Sequence, residues 1–277
     1  MSLKVYIENW KKHLNHIDPI DACQKQIYGI SKKLKPGENE KIKYTIMKLN
    51  MDYILYNINE INTNIIYCLR TKSYSTAEIL SRSSCEFSAN LMYVISGKDN
   101  DNAKSLLKDY HRNSKNNVKK WLEYAEENKL KEEVFAAKLK IKIVDIIRES
   151  MPSIFSGSIP RWPSTQEKFR SIGLESAYHH IFAPASNSTH SLSEDIYQLL
   201  YRESLPSEEK TESISAYFDE KASFAIYLSA LVVGLFAECV ARCCIKAERD
   251  DLLLDIITAA APVNKIIEEH DEMVDDI

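Results

Sequence analysis

The sequence predicts an all-α protein. It reads as a single large multi-helix bundle, with a long buried helix toward the C-terminus and a proline-rich ordered loop in the middle. Three observations carry this. Only 6 glycines and 8 prolines occur in 277 residues, and such scarcity of breakers favours long helices. Met47, Met51, Ile54, Ile58, Ile61, Ile65 and Cys68 recur in steps of four and three, a heptad seam that needs a partner helix in the same chain or in a second copy. Ala222–Ala237 is a nearly uninterrupted apolar run between Lys221 and Glu238, the central helix of a core. Hydrophobic residues make up 44%, enough for a sizeable interior.

The elements follow in order. Lys4–His16 and Ile20–Leu34 form two helices split by Pro19, the second ending near Pro36-Gly37. Residues 1–36 are thus N-terminal helices and 37–277 the main bundle, read as one domain overall. The seam helix spans about Glu40–Arg70. Ser75 and Glu78 make a capping box for the next helix, and Gly97 is placed to close it. Asp101–Glu127 and Lys131–Ser150 follow, the latter stopped by Pro152. Ser150–Thr165 has three prolines and a glycine beside Ile154, Phe155, Ile159 and Trp162, so it is a loop that packs rather than a free linker. Ser164 and Glu167 cap a short helix that Gly173 closes, and another, about Leu174–Phe182, ends before Pro184. Ala185–His190 is a second loop. Ser193 caps Glu194–Arg202, Ser204–Ser213 is a polar mobile stretch, and the long helix covers Ile214–Ala247.

The net charge is −4, from 36 basic and 40 acidic residues, so a nucleic-acid partner is possible but is not indicated by charge. Lys104, Lys108, His111, Arg112, Lys115, Lys119 and Lys120 recur at helical spacing and read as a solvated helix face. The six cysteines lack any C-x-x-C pair, and Met1–Trp10 is charged with no apolar core segment. Reduced thiols, a cytoplasmic location and no metal site are expected. The 16 residues of Ala222–Ala237 fall short of the ~20 that span a bilayer, so no membrane partner is expected. No phosphate-binding loop, dinucleotide fingerprint, zinc-protease motif or nucleophile elbow occurs, and no cofactor is expected.

The candidate chemistry lies in two places. From Ile79 to Ser96 only Arg82 and Glu86 are charged, so most of that helix is buried. An exposed i,i+4 pair contributes only ~0.3 kcal/mol, and a buried one needs further partners. Tyr178, Ser186 and His190, around a proline-bounded loop, are suitable ones. His190 donating to Glu86 would orient its ring and raise its pKa. No arginine is followed four to six residues later by histidine, the pattern of the HEPN-type helical nucleases.

Arg82-S-S-C-Glu86 and the later Tyr178…Ser186-N-S-T-His190 resemble the two recurring motifs of an uncharacterised bacterial helical family, domain-of-unknown-function family 5677. The resemblance covers roughly Glu40–Ala247 and implies an all-helical fold without implying an activity. Two departures stand out: Pro184 precedes the serine, and no glycine follows His190. The leading functional expectation is a non-catalytic binding or regulatory protein with a protein partner or self-association, in a bacterial stress or anti-phage setting. The alternative is a metal-independent ribonuclease or phosphodiesterase using His190, Glu86 and Arg82, with Tyr178 and Ser186 in support.

Overall fold

The computed structural model describes residue 8 and residues 10–155, 158–187 and 193–271. Every regular element among them is helical. The longer helices are α1 (Ile17–Lys32), α2 (Thr45–Arg70), α3 (Tyr74–Ser96), α4 (Asp101–Glu127), α5 (Lys131–Ser150), α6 (Thr165–Ser171), α7 (Ser193–Glu203), α8 (Ser207–Lys246) and α9 (Leu253–Asp271). A five-residue π turn, Tyr178–Phe182, lies between α6 and α7. The chain divides into two compact units. One comprises 1–92 and 165–277, the other 93–164.

In the first unit α1, α2, α8 and α9 pack on one another. Met47, Met51 and Ile58 of the seam are fully buried, so the heptad face of α2 is used inside the chain, against α1 and α8. The 40 residues of α8 supply more buried side chains than any other described helix, from Ala216 to Cys244. By length and composition α8 could cross a bilayer, yet 67% of its most apolar stretch is buried within the protein. A polar relay fixes the register of α1, α2 and α3. Gln24 donates to Asn59 at 3.2 Å, Asn62 donates to Gln24 at 2.9 Å, and Ser84 donates to Asn62 at 2.5 Å. Gln24, Asn62 and Ser84 are buried, and such groups are tolerated inside only when bonded.

Several boundaries depart from the sequence reading, each for a local reason. α2 begins at Thr45, five residues after the expected start. α3 begins at Tyr74, so Ser75 lies inside it, and Glu78 turns inward to Lys221 instead of completing a capping box. Pro19 sits in the first turn of α1, where its missing N–H costs nothing. Pro184 does not end its helix. The amide of Ala183 reaches back to the carbonyl of Tyr178, and this π step resets the ladder, so that Pro184 falls in the first turn of Ala183–Asn187. α8 starts at Ser207, behind Pro206 and with Glu208 and Glu209 in its first turn, a combination suited to a helix N-terminus.

In the second unit α4 and α5 form a hairpin. Its turn is a Schellman motif with Lys129 at φ 59°, Leu130 N–H bonding to Ala125 at 2.9 Å and Lys129 N–H to Glu126 at 3.1 Å. Small residues mark the buried face: Ala103, Ala125 and Ala137 are fully enclosed. Lys115–Asp145 at 2.6 Å and Lys138–Glu126 at 3.1 Å tie the two helices together.

Candidate functional site

Glu78, Arg82, Glu86 and Asn90 stand four residues apart on α3. Successive members are neighbours along a slow spiral on one face. Between them they meet three elements of the first unit: α8, the π turn and α6.

Glu78 is buried, 3.7 Å from the Lys221 ammonium of α8. Lys221 also pairs closely with Asp195 of α7, and the Tyr217 hydroxyl donates to Asp195 at 2.7 Å. Burial first, and then the carboxylate it bonds, pushes the Tyr217 phenol well above its ordinary range. The Arg202 guanidinium lies 4.9 Å from the Tyr217 ring centre.

Arg82 lies over the Phe182 ring at 4.4 Å. Phe182 stacks on Tyr178 at 5.4 Å, and Phe169 of α6 supports both rings. Because the π turn brings residues 178 and 182 onto one side, the guanidinium finds an aromatic face, a favourable seat for a half-buried cation. Glu86 accepts a hydrogen bond from Thr165 at 3.3 Å, at the first residue of α6. Asn90 receives the buried ammonium of Lys168. Behind the row, burial and the nearby Glu86 carboxylate raise the Cys85 thiol, with Arg82 offsetting part of the effect.

The structure therefore brings Arg82 beside the Phe182–Tyr178 stack and places Glu86 one turn further along the same face. Ser186 falls in the Ala183–Asn187 turn, and its side chain lies outside the description. His190, with the expected bond to Glu86, lies outside the described residues. The sequence reading missed Glu78, Lys221, Asp195 and Tyr217. Two spacings of four signalled them, Glu78 before Arg82 and Tyr217 before Lys221, but nothing local marked Asp195. Chemically, the row clamps α3 to the elements around it. Arg82 and Lys221 have the charge to hold an anion, but Lys221 would have to leave two carboxylates to do so.

A second polar cluster stands apart from this row. The His13 and His270 rings lie 3.6 Å apart at a tilt of 35°, His16 stacks on His13 at 5.4 Å, and the His13 ring bonds Ser223 at 2.6 Å. Burial lowers His13 to about 4 and His270 to about 3, and the neighbouring histidines add to the effect. All six cysteines are buried. Among the described residues no group of three or more His, Cys, Asp or Glu side chains could hold a metal ion.

An all-helical fold clamped by a polar row on one buried helix defines the class of protein. The chain belongs to the Family of unknown function (DUF5677), whose model matches residues 52–207. Arg82, Glu86, Tyr178, Ser186 and His190 all fall within that span. No curated protein and no solved structure matches the chain.

Proposed function

We propose that the protein is a non-catalytic helical binding protein that docks a partner protein on the outer face of α5. One observation carries this. Phe135, Leu139, Ile143, Ile146 and Ile147 form a stripe at helical spacing, every one of them exposed, Phe135 by 71%. They lie across the helix from the enclosed Ala137. A contiguous exposed stripe of large apolar side chains on a soluble surface marks an interaction site far better than scattered ones do.

Charge selects the occupant. Lys140 and Lys142 flank the stripe on either side, so the partner is an amphipathic helix with acidic flanks, seated by its own apolar face. A second copy of this chain fits poorly. Stripe against stripe would bring the lysines that flank it, Lys140 and Lys142, of one copy toward those of the other, and like charges so placed repel.

A photoactivatable cross-linker at Leu139, in the full-length protein in its native cells, tests the reading. The captured segment should be an acidic amphipathic helix. Capture should vanish with Ile143→Asp and weaken when Lys140→Glu and Lys142→Glu are combined. Self-capture alone, or capture indifferent to these changes, rejects it.

A second reading, a phosphodiesterase at the α3 row, is favoured by the placement of Arg82 beside a π turn, a feature common at functional sites. His190→Gln discriminates. Loss of phosphodiester cleavage or of a cellular phenotype at an unchanged melting temperature supports this reading. A phenotype that survives, or that is lost only together with the fold, counts against it.

A further inference from the structure

A cleft of about 450 Å³ opens in the second unit among α4, the end of α5 and the segment that follows it. Its walls bring together cations from three stretches of chain: Lys108, Arg112 and Lys115 on α4, Arg148 on α5, and Arg161 in the proline-rich loop. Two of these are already answered. Arg112 pairs with Asp109, and Lys115 with Asp145, whose carboxyl the Lys115 hydrogen bond holds below its usual range. Lys108, Arg148 and Arg161 have no carboxylate within ion-pair distance among the described residues, and they converge on one cavity of a chain whose net charge is −4. Asp109 also lines the cleft but is engaged by Arg112, and Asp145 attracts Arg148 only from beyond ion-pair distance, so the concave space keeps a positive excess that an entering anion would relieve.

The remaining walls say which anion. Phe155, tilted on His111 at 4.9 Å, and Trp162, edge-on to Tyr93 at 5.2 Å, both line the cleft. A bare phosphate needs neither an aromatic surface nor so much room, whereas the volume is that of a small-molecule site. Fixed aromatic rings beside arginine and lysine are what a phosphate joined to a planar base engages, by stacking at one end and charge-assisted hydrogen bonds at the other.

We propose that this cleft binds a nucleotide, its phosphates held by Lys108, Arg148 and Arg161 and its base against Phe155 or Trp162. The inference is independent of the docking face on α5 and stands or falls apart from it. The same chemistry is presented by a free nucleoside phosphate and by a nucleotide within a single-stranded RNA, and the measurement separates the two.

Calorimetric titration of the full chain with ATP, with inorganic phosphate and with a short single-stranded RNA is the test. Binding of ATP or of RNA should be tighter than that of phosphate and should weaken as salt rises. Whichever of ATP and RNA binds more tightly identifies the source. The pair Lys108→Gln and Arg161→Gln, on side chains with no internal ion pair, should lower affinity about tenfold or more while circular dichroism melting stays unchanged. Phe155→Leu and Trp162→Leu in combination should weaken nucleotide binding and leave phosphate alone. No heat with ATP or RNA at millimolar concentration, phosphate binding as tight as nucleotide, or full affinity in the double variant overturns the proposal.

Discussion

Val233, Phe236 and Val240 of α8 are enclosed by protein, while Ile143 and Ile147 of α5 keep close to half of their surface in water. Both helices are rich in aliphatic residues, and their sequences alone would cast either as a core element. The difference lies in their neighbours. α8 packs against α1, α2 and α9, and so is covered along most of its circumference. α5 belongs to a hairpin whose close contact with α4 is made by alanines, which leaves its opposite face bare. The first unit spends its apolar surface on stability, and the second holds some in reserve. Substitutions that remove apolar atoms should therefore give very different results in the two places.

The largest effect is expected at the centre of the first unit. Phe236→Ala removes a fully buried ring from α8 and should cost ~3–5 kcal/mol of unfolding free energy, the transfer loss plus the cavity left behind. Urea denaturation followed by circular dichroism would show it as a lower midpoint at an unchanged slope. A loss below ~1 kcal/mol would mean that the core collapses readily around the site, and the contrast with α5 would lose its basis.

Acid comes next. His13 and His270 have native pKa values of about 4 and about 3, against 6.5 in an unfolded chain. Below pH 6.5 the unfolded state takes up protons that the folded state refuses. Stability is therefore intact above that pH and drains away as pH falls toward the native values. The groups facing the pair do not reverse the sign. His16 adds repulsion, Glu269 beside it attracts protons too weakly to offset burial, and Ser223 and the Tyr227 ring are neutral. At about pH 5.5 the two histidines together cost up to ~3 kcal/mol. The melting temperature of the wild type should drop between pH 7 and 5, and His270→Leu should flatten that drop. An equal slope in the variant would remove the cluster from the account.

The polar relay is next in size. Asn62→Ala leaves Gln24 and Ser84 each short of a partner inside the protein, a loss of ~1–3 kcal/mol. Replacing Asn62 with leucine should be no better, because the neighbours remain unsatisfied. Stability equal to wild type in both variants would show that water reaches the relay.

How much of this was legible in the sequence depends on the range of the signal. The helices were readable because their period is local, and Asp101–Glu127 and Lys131–Ser150 match the observed bounds. Ends set by backbone geometry were harder. Gly173 closes α6 at φ 75° as glycine should, but Lys72, Lys129 and Glu248 do the same work at positive φ with side chains that announce nothing. Arg82 and Glu86 were visible as the only charges between Ile79 and Ser96. Their partners Phe182 and Thr165 lie roughly 80–100 residues away, and no periodicity encodes such a meeting. Lys108, His111, Arg112 and Lys115 read as a solvated face because spacing places them on one side of α4. Only the fold shows that Arg148 and Arg161 come to meet them.

The smallest effect is expected where the side chains are as large as in the core but have nothing to lose. Ile143→Ala and Ile147→Ala each remove exposed carbon from α5, and alanine is the better helix former by a few tenths of a kcal/mol. Their unfolding midpoints should stay within ~0.5 kcal/mol of wild type, and a small gain is as expected as a small loss. The same two substitutions should weaken capture by the Leu139 cross-linker. If instead either costs more than ~1.5 kcal/mol, the stripe is already covered in the folded monomer, and the docking face must be sought elsewhere on the chain.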